Sequence, residues 1–487
     1  MPRTTIPILG EHFPSQSKVQ SVQELVNFYL EEDRSQNRFI AYGTPGYTLW
    51  NDLNGSVVRG CLEHKGLGYV VMDNRLLLVT DKNTVSVLGT LSTSIGSVSI
   101  AATNNQIGIC DGTSFYLYNI SGTTFSTPGD GDIPSAPVTV ISIDEYFIIP
   151  VPLTNRFQVS DLADGTAWNS LSFASANARA DNINTMVQVN TLVLALCDSS
   201  CEVFYDSGGE TIPFDRAVAG SYDFGCIANR SPVVIDNICY WLSSNNNGLV
   251  GVVVSNGGLP NNISNRAMLQ ELSTYDSLSD AIGWSYQENG HTFYLLTFPS
   301  SQTVNGQLVG DTWAYDLSTG TWGKWQSTLT NAISPPQQTR HVANCHMYLN
   351  GEHIIGDHIS GKLYVMSPDA YTEAGEEIRR KIRTSHFVAT DLKMSMNNLV
   401  IETESGSGID GIGQGSDPLL VLRHSKDRGR TWSSELSRKT GKLGEYDQRC
   451  TFNRIGSGRS ITLEISCSDP IKWVILGATA LVDVERG

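Results

Sequence analysis

The chain has 487 residues, enough for two or three domains, and its 45 glycines separate short apolar runs in the manner of a loop-rich all-β protein. Hydrophobic residues make up 40% of the chain and no long charge run exists, which disfavours disorder. The net charge of −16 disfavours a protein that binds DNA phosphates. The nine scattered cysteines are expected to be reduced core thiols of a protein made in a cytosol, and neither a secretion signal nor stable membrane association is expected.

Residues 1–60 are interpreted as an irregular N-terminal segment. Within it, VQELVNFYLEE (22–32) carries apolar residues at the spacing of a short helix. The stretch from Val26 to Leu30 fits a β-strand equally well, so the two alternatives stay open.

Residues 61–370 are predicted to form a β-propeller. Short apolar strands alternate with turn signals such as Asp73-Asn74 and Asn350-Gly351, in groups that recur roughly every 40 to 50 residues. A single four-stranded sheet cannot bury both faces, so such groups must stack on one another as propeller blades. The pattern does not fix the number of blades.

A change in composition near residue 371 predicts a domain boundary. Longer alternating strands follow, and residues 371–487 are predicted to form a jelly-roll-like β-sandwich. The basic group Arg379, Arg380, Lys381 and Arg383 lies at this boundary in an acidic chain. It is either a solvated linker or an electrostatic contact between the two domains or with a neighbouring molecule.

One motif in the C-terminal part resembles the Asp-box of sialidases. Its residues are Ser425, Asp427, Gly429, Thr431 and Trp432. The carboxylate can accept hydrogen bonds from its own turn, the glycine supplies a positive φ, and the tryptophan closes the base of the hairpin. These roles are structural, and a retaining sialidase would also need a tyrosine nucleophile and an arginine cluster that no local motif places. A glycan-binding or sialidase-like propeller is therefore the alternative function.

A second alternative is a kelch-like interaction scaffold. TWAYDLSTGTW (312–322) resembles a kelch strand pair, but an array of this kind should repeat the motif in every blade, and it occurs once.

A metal site is conceivable where His341, Cys345, His346, His353 and His358 fall within 18 residues. The spacing matches no standard ligand pattern, and strand alternation would split the side chains between two faces. We therefore predict no metal, no cofactor and no catalytic residues, and leave open whether a metal lies near His341–His358.

Two blocks of sequence resemble the tail-hub proteins of short-tailed bacteriophages, also called packaged-DNA stabilization proteins. The first contains Asp164, Trp168, Phe173, Ala176 and Asp181, followed by VFY at 203–205. The second runs from Ser425 to Trp432 and continues through Gly444-Glu445-Tyr446, Arg454 and Gly456. Lys426 and Arg428 make the second block more basic than the family pattern.

The resemblance implies a structural protein of the virion tail, assembled in the host cytoplasm. Members of this family form a ring, generally a homohexamer, below the portal and its adaptor or head-completion protein. The ring retains the packaged DNA, carries a distal needle or plug, presents a surface to tail spikes or fibres, and lets DNA pass without reading its sequence.

Overall fold

A computed structural model describes residues 3–486 apart from 37, 210–211, 246–247, 249, 305, 330–336 and 390–391, without the side chains of 329, 337, 485 and 486. Its described residues form 45 strands and one short helix, so the expected all-β fold is confirmed.

Six strands precede the first complete sheet. They are β1 (Thr4–Ile6), β2 (Phe13–Pro14), β3 (Val22–Val26), β4 (Phe28–Asp33), β5 (Arg38–Gly43) and β6 (Gly46–Asp52).

Five four-stranded antiparallel sheets follow, each made of consecutive strands. The first two are β7 (Val58–His64), β8 (Leu67–Met72), β9 (Arg75–Asp81) and β10 (Thr84–Thr90), then β11 (Ser99–Ala102), β12 (Gln106–Cys110), β13 (Phe115–Asn119) and β14 (Thr124–Ser126). The third and fourth are β15 (Ile141–Ile143), β16 (Tyr146–Pro150), β17 (Arg156–Asp161) and β18 (Asp164–Ser175), then β19 (Ile183–Val189), β20 (Leu192–Cys197), β21 (Cys201–Asp206) and β22 (Phe214–Tyr222). The fifth is β23 (Val233–Ile235), β24 (Ile238–Ser244), β25 (Val250–Ser255) and β26 (Asn261–Asn262).

A helix, a sixth sheet, a hairpin and most of a seventh sheet come next. Helix α1 (Arg266–Leu272) leads into β27 (Ile282–Glu288), β28 (His291–Val304), β29 (Gln307–Asp316) and β30 (Thr321–Lys324). The hairpin is β31 (Gln326–Leu329) and β32 (Gln337–Arg340). The seventh sheet contains β33 (Ala343–Leu349), β34 (Glu352–Asp357) and β35 (Lys362–Ser367), and the short strands β36 (Thr372–Glu373) and β37 (Glu376–Glu377) follow.

These sheets are the blades of a seven-bladed propeller. The innermost strands β7, β11, β15, β19, β23, β27 and β33 contact one another in that order, and β33 returns to β7. The seventh blade is completed from the other end of the sequence, because β6 pairs with β35 as its fourth strand. The ring is therefore closed by a strand that lies about 300 residues away from its partner in the chain.

The remaining strands form the sandwich: β38 (Arg380–Arg383), β39 (Phe387–Val388), β40 (Leu392–Thr403), β41 (Leu419–Ser425), β42 (Leu436–Lys439), β43 (Cys450–Gly458), β44 (Ser460–Cys467) and β45 (Val474–Arg486). One sheet has the order β4-β5-β45-β40-β43, with β1 beside β45. The other has the order β3-β38-β44-β41-β42, so N-terminal strands belong to both sheets.

The interpretation of residues 1–60 as irregular needs correction. The segment forms six strands, and Ile6, Leu25 and Phe28 lie in the same core as Met396 and Ile465 of the sandwich. These residues are ordered by partners far along the chain, which a local pattern does not reveal.

Asn27 explains why residues 22–32 form two strands and no helix. It has a φ of 55° and separates β3 from β4. Its buried side chain donates to the carbonyl oxygens of Gln326 and Arg379, both at 2.8 Å, and accepts from the Gln326 amide. One asparagine therefore ties the N-terminal segment to the propeller and to the sandwich.

The two domains share a continuous sheet. β3 pairs with β30 of the sixth blade on one side and with β38 of the sandwich on the other. Eight of the nine cysteines are buried and Cys61 is half-buried, which agrees with the expected core positions.

Candidate functional site

The Asp-box lies in the loop between β41 and β42. Asp427 accepts hydrogen bonds through Oδ1 from Ser425 and from the amides of Arg430 and Thr431, and through Oδ2 from the Thr431 hydroxyl. The Thr431 hydroxyl and amide, followed by Ser425, hold the pKa of the Asp427 carboxyl well below its usual range. Both oxygens are occupied by the turn itself, so this geometry does not favour the sialidase-like alternative.

Gly429 occupies the left-handed position of this loop, with a φ of 79°. A Cβ atom there would lie 3.3 Å from the Val22 side chain on β3, so the loop packs closely on the N-terminal segment. Trp432 is half-buried, and the guanidinium groups of Arg383 and Arg423 lie over its ring at 4.9 and 5.7 Å from the centroid. The tryptophan thus meets two cations.

Those two arginines belong to an ion network on the sheet that joins the domains. Glu464 on β44 is 3% exposed and accepts from Arg383 Nε at 3.0 Å and from Arg423 Nε at 2.9 Å. Glu24 on β3 pairs with Arg383 and, at 2.5 Å, with Lys381. Burial would raise the pKa of the Glu464 carboxyl, but the neighbouring arginines outweigh it and the pKa is lowered.

The basic group at residues 379–383 is therefore not a linker or a free patch. Alternation along β38 places Lys381 and Arg383 on the face that meets Glu24, and Arg380 on the opposite face, where it is 1% exposed. Of the four predicted interface residues, only Arg379 has an exposed side chain. This arrangement supports the contact between the two domains and leaves little of the group for a neighbouring molecule.

Arg380 is buried where the propeller and the sandwich meet, a region that we call the joint. Its Nη2 atom donates to the Thr44 carbonyl at 3.1 Å, and its side chain passes so close to Gly43 that a Cβ there would lie 2.5 Å from Nε. Its Nε and Nη1 atoms have no partner among the described residues, and the residue lines a cavity of about 410 Å³ with Tyr371 and Trp473. Burial lowers the pKa of this guanidinium, because the charged form loses its hydration there.

Glu373 is a second ionisable group buried at the joint. It lies on β36 beside Tyr47 of β6, and burial raises the pKa of its carboxyl to about 8, with a hydrogen bond from Ser327 and then the charge of Arg380 opposing this only in part. Burial therefore favours the protonated form of Glu373 in the folded protein.

This raised pKa predicts a pH-dependent free energy of unfolding. The stabilising contribution of the protonated group is fully present below the ordinary glutamate pKa and is lost as the pH rises through about 8. We expect Glu373→Gln to be more stable than wild type at pH 9, by up to about 4 kcal/mol, with a much smaller difference at pH 5. Urea denaturation at pH 5, 7 and 9 measures both proteins, and parallel pH profiles would contradict the assignment.

The histidine group is brought into one region but not into a metal site. His346 Nε2 lies 3.0 Å from His353 Nδ1, whereas His358 Nδ1 lies 2.9 Å from the Val342 carbonyl oxygen and His341 Nδ1 accepts from the Ala343 amide. Burial lowers the pKa of His341, His346 and His358 to about 3. Within the described residues, no group of three or more His, Cys, Asp or Glu side chains is placed to hold a metal ion.

The centre of the propeller holds a cavity of about 700 Å³. Residues of all seven innermost strands line it, among them Cys61, Ile100, Met186, Trp284 and Cys345.

None of the described helices is long and apolar enough to cross a membrane.

The motif residues of the first block have structural roles. The Trp168 ring lies in the core shared by the second and third blades, and its Nε1 atom donates to the Gly165 carbonyl at 2.9 Å. Asp181 accepts from the Ser199 amide and hydroxyl and from Ser200. Together with the Asp-box, these contacts stabilise the turns and cores of a propeller fused to a sandwich.

Comparison with known protein families gives the same division. Residues 26–371 match the family model described as the bacteriophage P22 Gp10 β-propeller, and residues 379–483 match that of the bacteriophage P22 Gp10 β-sandwich. The chain belongs to the bacteriophage P22 Gp10 family. It is a phage tail-hub protein that stabilises packaged DNA, and its place is the virion tail.

Solved structures show a more distant likeness. The N-terminal domain of Nup159 is 9% identical, with 71% of this chain and 99% of that chain covered and a TM-score of 0.39. The extracellular domain of the one-component system BT4673 from B. thetaiotaomicron is 11% identical, with 88% and 58% covered and a TM-score of 0.39. YCF48 bound to D1 peptide is 11% identical, with 66% and 99% covered and a TM-score of 0.38. No curated protein sequence matches the chain.

Proposed function

We propose that this protein is one subunit of a closed ring, a homohexamer, that forms the hub or nozzle of the tail below the portal and its adaptor. The ring retains the packaged genome and encloses the channel for its ejection. A distal needle or plug closes the channel, and tail spikes or fibres bind the outer surface. The chain has no catalytic role in this function.

The match of both domains to a family that stabilises packaged DNA carries this proposal. The centre of one propeller is lined by side chains of all seven innermost strands, which contact one another directly around the ring. A DNA duplex is about 20 Å across, so we place the channel for the genome between several copies of the chain and not inside one propeller. The net charge of −16 supports passage without adhesion, because phosphates are not attracted to an acidic wall.

Negative-stain microscopy of the purified chain, over a range of concentrations, tests this proposal. We expect closed six-fold rings whose central hole exceeds the duplex diameter of about 20 Å. If the chain alone remains monomeric, the same experiment is repeated with the portal adaptor as a template. Monomers under both conditions, or rings with a hole narrower than a duplex, would rule the proposal out.

A further inference from the structure

One segment of the sandwich is rich in positive charge, whereas the rest of the chain is acidic. Residues 419–460 contain ten Lys and Arg against four Asp and Glu, whereas the rest of the chain contains 23 against 45. Five of these cations lie at one end of the sandwich, because pairing of β41 with β44 places the Asp-box loop beside the turn between β43 and β44. We call this group the basic end, and its members are Lys426, Arg428, Arg430, Arg454 and Arg459.

The side chains of the basic end are free for a partner. None of the five forms an ion pair with a described residue, and all are exposed except Arg428, which is half-buried. The one carboxylate among them, Asp427, is occupied by its own turn. Arg428 and Arg454 hold left-handed positions, with φ of 61° and 59°, where glycine or asparagine is usual. Folding alone therefore does not account for these cations.

A surface of opposite charge lies on the third and fourth blades. Residues 130–223, which we call the acidic sector, contain 13 Asp and Glu against three Arg in the sequence; Glu210 lies outside the described residues and Glu202 is buried. All three arginines are occupied: Arg179 pairs with Asp223, Arg216 with Glu202 at 3.4 Å, and Arg156 lies over the Phe173 ring.

Acidic groups of both blades converge on this surface. Asp206 pairs with Phe214, whose ring meets the Tyr146 ring of the third blade at 6.1 Å between centroids, and Asp144 lies in the turn just before Tyr146. Besides burial, the charges of Asp206, Asp161 and Asp144 raise the pKa of Tyr146. Large apolar side chains are exposed on the same two blades, with Leu162 at 61% and Leu171 at 66% on the third and Val218 fully exposed on the fourth. Exposed apolar groups with a charged rim are typical of a protein-binding surface.

The two surfaces cannot meet within one molecule. The sandwich is attached to the sixth and seventh blades, through β3 and β6. In a closed ring of seven blades, the third blade lies directly across from that attachment and the fourth lies beside it. Complementary surfaces on opposite sides of a molecule make head-to-tail contacts between copies. Such contacts form a closed ring when the rotation from one subunit to the next adds up to a full turn.

We propose that the basic end of one subunit binds the acidic sector of a second copy of this chain. The inference rests on the proposed ring and identifies the surfaces that join its subunits. Charge complementarity sets the partner and orientation, and the exposed leucines and Val218 supply the apolar area of the contact.

Charge reversal tests the contact from both sides. One variant carries Lys426→Glu, Arg430→Glu and Arg459→Glu, and the other carries Asp144→Lys, Asp161→Lys and Asp215→Lys. Sedimentation at low ionic strength should show that each variant alone self-associates at least tenfold more weakly than wild type. An equimolar mixture of the two should recover association, because every contact then joins opposite charges. Recovery also shows that both variants are folded.

A matched control reverses three cations of the same segment at the other end of β42, with Lys439→Glu, Lys442→Glu and Arg449→Glu. It should associate like wild type. Rings that are unaffected by both reversals would overturn this inference and leave the proposed ring intact, whereas a wild-type chain that never associates would overturn both. If the basic-end variant associates normally but loses affinity for a 30-base-pair duplex, the surface serves DNA and the inference is wrong.

Discussion

Removal of residues 1–52 is expected to leave neither domain able to fold. The deletion removes β6, which completes the seventh blade, and β1, β3 and β5, which pair with the sandwich or the sixth blade. It also removes β2 and β4, which pair with β3 and β5. Ten buried apolar side chains are lost with it: Ile6, Ile8, Val22, Leu25, Val26, Phe28, Leu30, Ala41, Tyr47 and Trp50. At about 2 kcal/mol each they contribute roughly 20 kcal/mol, more than the 5–15 kcal/mol that typically separates folded from unfolded protein.

Circular dichroism and sedimentation of the purified chain measure this effect. The matched control deletes Asp410–Gln414 from an exposed loop whose ends are already joined by a 2.9 Å hydrogen bond from the Ile409 amide to the Gly415 carbonyl. That variant should fold as wild type. A truncated chain with a native spectrum and a compact monomeric form would contradict this prediction. It would show that the N-terminal strands pack on domains that are stable without them.

The propeller could be predicted from the sequence because its blades are made of neighbouring strands. Many hairpin turns carry Asp or Asn in a left-handed conformation, as at Asp73, Asp144 and Asn350, and these residue types are the ones a sequence reader recognises. The number of blades could not be predicted, because the seventh blade takes its last strand from residues 46–52.

Most of the contact between the two domains could not be predicted either, because its strands pair with partners far away in the sequence. Leu25 and Val26 have the spacing of a helix, yet each pairs with a strand that lies 300 residues or more away. The basic group at 379–383 is predicted from the sequence to be either a solvated linker or an electrostatic contact, and the alternation in RRKIR also indicates that Arg380 and Arg383 point to opposite faces. Nothing local to Glu464 indicated that it would be the acceptor between Arg383 and Arg423.

Replacement of that carboxylate is expected to produce the largest loss of stability of any single substitution at the joint. Glu464→Ala leaves Arg383 and Arg423 without their shared buried acceptor. Arg383 keeps Glu24 and Arg423 is 37% exposed, so we expect a cost of about 2–3 kcal/mol, below that of a fully buried unpaired charge. The cost is greatest at neutral pH. Because the folded pKa is lowered, the stabilising contribution of Glu464 is present above the ordinary glutamate pKa and is lost as the pH falls through the folded value.

Urea denaturation at pH 7 and pH 3 measures this dependence. Glu435→Ala is the matched control, since Glu435 is exposed on the adjacent loop, and its effect should stay within about 0.5 kcal/mol. A Glu464→Ala protein that unfolds at the same urea concentration as Glu435→Ala would contradict the proposed role of the network.

A triple variant separates unpaired charge from lost packing as the source of the cost. Glu464→Leu combined with Arg383→Met and Arg423→Met removes all the charges around this position except Lys381 and Glu24, which remain paired at 2.5 Å. Apolar residues of similar volume often replace a buried ion network without loss of stability. We therefore expect the triple variant to be more stable than Glu464→Ala, even though it changes more residues. The opposite order would mean that the arginines stabilise the joint through Trp432, over whose ring both guanidinium groups lie, and not through the carboxylate.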